Sequence, residues 1–152
     1  MDRCRQASNL MNIIQLHSLT PEQIRDLLGL MKELNPEIKV TAEMLEAVVA
    51  DSGARFFAAI GPDGHIVGTA TLCVSYSPTG RKGGIEDVVV SSACRGQGLG
   101  RQLMEHIIGY ARKELSPIVL HLTSRPQRVA ANRLYRSLGF QPYDTNVYKL
   151  PL

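Results

Sequence analysis

The feature that most constrains this chain is the run IEDVVVSSACRGQGLGR at positions 85–101. An apolar, β-branched stretch passes through a short turn into Gly96, Gly98 and Gly100, and an amphipathic segment follows. β-branched residues bounded by turn formers read as a strand. Leu99, Leu103, Ile107, Tyr110 and Ala111 recur on one helical stripe. Glycines let the backbone turn tightly and come close to a ligand. The first helical N–H groups, around Gln97 to Arg101, have no partner inside the helix. They stand at the positive end of its dipole, where a phosphate or pyrophosphate is the natural occupant. The competing reading is a glycine turn that merely joins strand to helix.

Two familiar phosphate loops are excluded by spacing. No Lys-Ser/Thr follows the last glycine, as a Walker loop requires. The spacing is G-x-G-x-G, and no acidic residue ends a following strand at the distance a dinucleotide site needs.

Around this run the chain reads as alternating elements. Residues 12–16 predict a short strand. Thr20-Pro21-Glu22-Gln23 is a helix start, with Thr as cap and Pro in the first turn. Ile24, Leu27, Leu28, Met31 and Leu34 continue it at helical spacing until Asn35-Pro36. Thr41 caps a second helix whose buried face is Met44, Leu45, Val48 and Val49. Strands at 55–60 and 66–76 flank the turn Gly61-Pro62-Asp63-Gly64. Residues 77–84 predict a loop, 85–90 a strand and 98–115 one long helix stopped by Pro117. Residues 118–122 predict a central parallel strand, 129–138 a helix ended by Gly139, and 146–150 a final strand. The order β-α-α-β-β-β-α-β-α-β implies an α/β fold of the α+β type, with a mixed sheet flanked by helices.

Length and composition narrow the classes. The 152 residues fit a single domain, 1–152, with 1–10 as a loose extension. No apolar run is long enough for a membrane span, and no signal-peptide pattern precedes residue 16. The three cysteines, at 4, 73 and 94, are widely spaced and read as reduced, which points to a cytoplasmic protein. The four histidines, at 17, 65, 106 and 121, show no metal spacing and read as surface or satisfied core residues. The net charge of +3 is too small to argue for nucleic acid or a membrane surface. Its placement is informative, because residues 115–143 hold no Asp or Glu but include Arg125, Arg128, Arg133 and Arg136.

Arg95-Gly96-Gln97-Gly98-Leu99-Gly100, set straight after an apolar strand, resembles the pyrophosphate loop of the GNAT superfamily of acetyl-CoA-dependent N-acetyltransferases. Ala131-Asn132-Arg133-Leu134-Tyr135-Arg136-Ser137-Leu138-Gly139-Phe140 resembles that family's second cofactor segment, which ends in Leu-Tyr-x-x-x-Gly-Phe. Gly84-Ile85-Glu86-Asp87-Val88-Val89-Val90 resembles its central strand. The wording of strand and loop is similar to glucosamine-6-phosphate N-acetyltransferases and to small bacterial members of unassigned substrate.

The resemblance implies direct attack of an amine on the thioester of acetyl-CoA. Val88, Val89 and Val90 then correspond to the strand whose backbone binds the pantetheine arm, with a main-chain N–H near Val88 or Val89 polarising the carbonyl. Arg95, Gly96, Gln97, Gly98, Leu99, Gly100 and Arg101 correspond to the pyrophosphate site. Tyr135 is the candidate general acid, since a phenol suits protonation of a thiolate. Asn132 is a candidate contact to the cofactor arm. The family more often carries Asn where Arg128 stands, which makes Arg128 a phosphate or substrate contact. Side-chain alternation places Glu86 with Val88 and Val90 as the base, and Asp87 on the other face as a contact to the substrate. Cys94 lies at the pyrophosphate end and Cys73 reads as core.

The expected partner is a small-molecule primary amine, with no metal and with a possible homodimer formed through strand 146–150. Glucosamine 6-phosphate would suit Arg81, Lys82 or the 125–136 arginines. A peptide acetyltransferase and a non-catalytic acyl-CoA-binding module are the other readings.

Overall fold

A computed structural model describes residues 11–152, so the N-terminal extension expected at 1–10 and Cys4 lie outside the described residues. The chain divides into two compact units, Met1–Leu122 and Thr123–Leu152. The first holds strand β1 (Asn12–Gln15), helices α1 (Pro21–Leu34) and α2 (Ala42–Ala50), strands β2 (Ala54–Ile60), β3 (Ile66–Ser77) and β4 (Gly80–Val90), helix α3 (Leu99–Tyr110) and strand β5 (Val119–His121). The second holds helix α4 (Val129–Ser137).

Local signals set the helix starts. The Thr20 hydroxyl accepts the Gln23 N–H at 3.1 Å, and the Gln23 side chain accepts the Thr20 N–H at 2.9 Å. That reciprocal box satisfies two groups left over at the start of α1. Thr41 accepts the Met44 N–H at 3.3 Å at the start of α2. On α2 Leu45 is buried, whereas Met44, expected in the core, is 47% exposed.

The sheet runs β1-β2-β3-β4-β5, antiparallel except for the parallel pair β4–β5. Adjacent residues of a strand face opposite sides. Phe56 therefore joins Leu27, Leu30, Met31, Leu45 and Val89 beneath α1 and α2. Phe57 turns the other way and meets His106 and Tyr110 of α3 edge-on, with ring centroids 5.4 and 5.3 Å away. Helices thus cover both faces of the sheet. Asp26 of α1 fastens the β2–β3 hairpin, accepting the Ile66 N–H at 3.0 Å and contacting His65 Nδ1 at 3.1 Å.

Four expectations are corrected. The loop at 77–84 is a tight turn, and Gly80 already pairs with Ser77 in the ladder. Tyr76 accepts from Arg81, and Ser77 accepts from Lys82, so the polar residues there are cross-strand partners. The helix expected to run to 115 is α-helical only to Tyr110 and continues as a π-helical turn, Ala111–Leu115. Strand β5 is parallel but is the edge of the described sheet, with Val119 67% exposed. No strand forms at 146–150, where Val147, Tyr148 and Leu150 are exposed. An apolar alternation becomes a strand only where a neighbour supplies the ladder.

In the second unit α4 ends as the sequence requires. Gly139, at φ +99°, donates to Arg136 O at 3.0 Å, and Phe140 N donates to Tyr135 O at 3.1 Å. These two bonds form a left-handed helix stop. The rings of Tyr135 and Phe140, 6.2 Å apart, make the apolar contact that accompanies it. The Tyr-x-x-x-Gly-Phe wording is therefore also a helix terminator.

Candidate active site

The glycine turn has the geometry of an anion cradle. Gly96 and Gly98 are left-handed, at φ +76° and +78°, and nothing lies within 4 Å of where their side chains would begin. Gly98 is the cap of α3 and offers no side chain to its first N–H groups. The bond from Gln102 N to Gly98 O, 3.1 Å long, is the first of the helix. The N–H groups of Leu99 and Gly100 therefore have no helical acceptor and lie at the positive dipole end. Arg95, Gly96, Gln97 and Gly98 are exposed. Leu99 is buried, so only its backbone can serve a ligand. Arg101 reaches Glu105 at 3.5 Å. Arg95 is turned back, with Nε 3.2 Å from Val90 O and a guanidinium nitrogen 3.5 Å from Glu33.

The strand that feeds this turn is paired on one side only over most of its length. Strand β5 matches β4 at Lys82, Gly83 and Gly84 alone. From Ile85 to Val90 the sheet continues only toward β3. That leaves backbone donors and acceptors of the Val88–Val90 region on an edge without a strand partner among the described residues, as an extended amide arm needs.

A bulge in β4 corrects the expected side-chain alternation. Thr71 pairs with Glu86 and Thr69 with Val89, so Asp87 and Val88 together oppose Ala70. Asp87 takes up the extra residue at φ +52°, a conformation that Asp tolerates better than most residues. Glu86 consequently shares its face with Val89, on the α1/α2 side, and not with Val88 and Val90. Both Glu86 and Asp87 are exposed.

Cys73 is exposed, not core, and is a free thiol. Partial burial pushes its thiol pKa up, and the charges of Glu86, Asp51 and Asp87 push it the same way. The charges that bear on this thiol are therefore acidic. Cys94 is buried at the pyrophosphate end of the strand.

In the second unit Tyr135 is buried on α4, and burial pushes its phenol up while Arg128 pulls weakly the other way. The phenol is accordingly protonated at neutral pH. Asn132 donates to Arg125 O at 2.9 Å, pinning the turn before α4. Arg128 caps that helix without a side-chain bond. Arg125, Arg128, Arg133 and Arg136 are all exposed. Arg81, by contrast, is engaged by Tyr76 and by Leu115 O. Lys82 is held by Ser77 and Thr79.

A recess of 220 Å³ opens beside Gln15, Val48, Asp51, Arg55 and Phe56, and none of the residues expected in the site lines it. Among the described residues no group of His, Cys, Asp or Glu side chains is arranged to hold a metal. No helix among them is long and apolar enough to cross a membrane. His121, read from sequence as an ordinary histidine, stands opposite Gly84 at the last rung between β4 and β5. Its only sequence signal was its place at the end of a short apolar strand.

Comparison with known proteins agrees with this geometry. The chain is 37% identical over 91 residues to streptothricin acetyltransferase of Streptomyces lavendulae, covering 59% of this chain and 46% of that protein. It is 32% identical over 97 residues to glucosamine 6-phosphate N-acetyltransferase 1 of Oryza sativa subsp. japonica, covering 58% of this chain and 59% of that one. It thus spans about half the length of these curated relatives. An aminoglycoside N-acetyltransferase solved in complex with CoA shares the fold, with a TM-score of 0.74 at 18% identity over 93% of this chain and 94% of that one. Residues 21–140 match the Acetyltransferase (GNAT) family. With most of its length in that match, the chain belongs to the GNAT family of acetyltransferases.

Proposed function

We propose that this protein moves the acetyl group of acetyl-CoA to a primary amine of a small, cationic molecule. The observation that carries the reading is the uncapped start of α3, with left-handed glycines at 96 and 98, directly after a strand with one unpaired edge. The N–H groups of residues 97–101 would bind the pyrophosphate, and the backbone of Val88, Val89 and Val90 would bind the amide arm. Acetyl-CoA, when bound, supplies an activated acetyl thioester. A main-chain N–H near Val88 or Val89 would stabilise charge developing on its carbonyl oxygen. Tyr135 is the acid of this reading, protonated at neutral pH and so able to give a proton to the thiolate. Arg128 is a cation for the phosphates, and Asn132 remains a candidate contact for the arm.

The cationic acceptor is supported by the negative field of Asp51, Glu86 and Asp87 around Cys73. Those charges would attract the ammonium form of the amine. The streptothricin and aminoglycoside acetyltransferases among its relatives point the same way. A phosphosugar acceptor is favoured by the likeness to the glucosamine 6-phosphate enzyme. It is disfavoured by the local engagement of Arg81 and Lys82. A homodimer is part of the reading, supported by the exposed Tyr143, Val147, Tyr148 and Leu150.

The test is calorimetry with acetyl-CoA, followed by thiol release with neamine, spermidine, glucosamine 6-phosphate and a peptide panel. Binding with thiol release from neamine or spermidine is expected. Release with peptides alone would reassign the acceptor. Binding without release from any amine would make the protein an acyl-CoA-binding module, and no binding would remove the reading.

A further inference from the structure

We infer that His121, held over Gly84 beside Glu86, accepts the proton of the attacking amine; this rests on the acetyl-transfer reading above. The parallel register of β4 and β5 sets His121 opposite Gly84. Gly84 in turn pairs with Cys73, so the three share one face, and Glu86 lies on it two residues further along. At the point where a side chain of residue 84 would begin, His121 Nε2 is 3.2 Å away, its Cε1 3.6 Å and Glu86 Oε1 3.8 Å.

The glycine is there for space and not for backbone freedom. Gly64, Gly80, Gly96, Gly98 and Gly139 are the described glycines with positive φ, and Gly84 is not among them. A methyl group at 84 would crowd the imidazole by a few tenths of an ångström. Its absence lets the ring settle onto the strand, so that Nε2 and the Glu86 carboxylate both lie within 4 Å of the same point above Gly84. Gly84 is buried beneath, while His121 and Glu86 are exposed and open to a ligand. The pair also marks the rung after which β4 and β5 part, where the unpaired edge of β4 begins.

Carboxylate and imidazole then divide the work. Glu86, with Asp87 and Asp51 nearby in the field, holds the incoming ammonium. An imidazole is the better proton acceptor near neutral pH. The ammonium first gives up one proton through His121 Nε2 to solvent. The free amine nitrogen then bonds to the acetyl carbonyl carbon as the C–S bond breaks, and the thiolate leaves with that electron pair. The proton released from nitrogen passes to His121 Nε2 and then to solvent, while the thiolate takes its own from the acid. Glu86 is thereby the counter-charge of the amine, and the base role expected for it from sequence passes to His121.

The test compares wild type, His121→Ala and Gly84→Ala with neamine, spermidine and glucosamine 6-phosphate as acceptors. His121→Ala should lower kcat by about 100-fold or more, the usual range for a lost acid or base, with acetyl-CoA affinity unchanged. Added imidazole should restore a large part of the lost rate, which a structural role would not show. Gly84→Ala, which leaves the imidazole in place but displaced, should lower kcat less. Wild-type turnover with His121→Ala nearly as fast, or slow but not rescued by imidazole, overturns the inference and leaves the proposed function standing. No turnover of any acceptor by the wild type removes both.

Discussion

The carboxylate of Glu33, near the end of α1, accepts the backbone N–H of Ser92 at 2.8 Å. The same oxygen lies 3.5 Å from the Arg95 guanidinium. One side chain thus fastens both ends of the short turn between β4 and the glycine loop. Both contacts are exposed, so water takes over from the carboxylate when it is removed and the loss is that of an ordinary surface contact.

Glu33→Ala should therefore loosen the loop more than it harms the fold. The expected loss is about 0.5–1.5 kcal/mol of stability, with acetyl-CoA affinity weakened several-fold. Urea denaturation and calorimetry on the same preparation measure both. Faster amide exchange at Ser92 should accompany them, and an unchanged affinity would detach Glu33 from the site.

Gly98→Ala examines the cradle itself. The space around Gly98 is open, so the substitution meets no atom and must act through the backbone. A left-handed conformation costs a residue with a β-carbon roughly 1–2 kcal/mol. The chain should lose about that much stability, or shift the cap and lose acetyl-CoA affinity. Gly109→Ala, also in open space but at ordinary φ, is the control and should be neutral or stabilising.

The bulge makes a prediction of opposite sign at Asp87, a residue of the proposed site. Asp87 is left-handed at φ +52°. Asp87→Val should destabilise by about 1–2 kcal/mol, and Asp87→Gly should relieve the strain. Acetyl transfer to cationic acceptors should fall in both, because both remove a charge from the field around Cys73. Thermal melts set beside acetyl-transfer rates separate the two effects.

Tyr135→Phe keeps the ring that packs on Phe140 and removes the hydroxyl. Acetyl transfer should fall by about 100-fold while acetyl-CoA binding persists. Burial raises the folded-state pKa of this phenol above its unfolded value. The stability it contributes is complete below the unfolded pKa, near 10. It is lost as pH rises from there through the higher folded value, because the unfolded chain ionises first. The variant should lose less stability than wild type over that alkaline range, as denaturation at stepped pH would show.

The candidate site was legible where its chemistry is local. Gly96 and Gly98 must turn the chain, and the helix after them must leave its first N–H groups unpaired, whatever the rest of the molecule does. The capping box at Thr20 and Gln23 and the stop at Gly139 and Phe140 were readable for the same reason. Each spans a few residues and closes its own hydrogen bonds.

What the tertiary structure decided depends on pairings between distant residues. Strict alternation placed Glu86 with Val88 and Val90, because a bulge is a mismatch between two strands and is invisible in either alone. The register of β4 against β3 moved Glu86 to the face of Val89. The register of β4 against β5 set His121 over Gly84. The residues at 146–150 have the alternation of a strand but no described partner strand, so they form none. The sequence alone determined where a phosphate-bearing ligand could be held, since a helix end is made by consecutive residues. Which side chains gather around Gly84 was decided by strand register, which only the folded sheet defines.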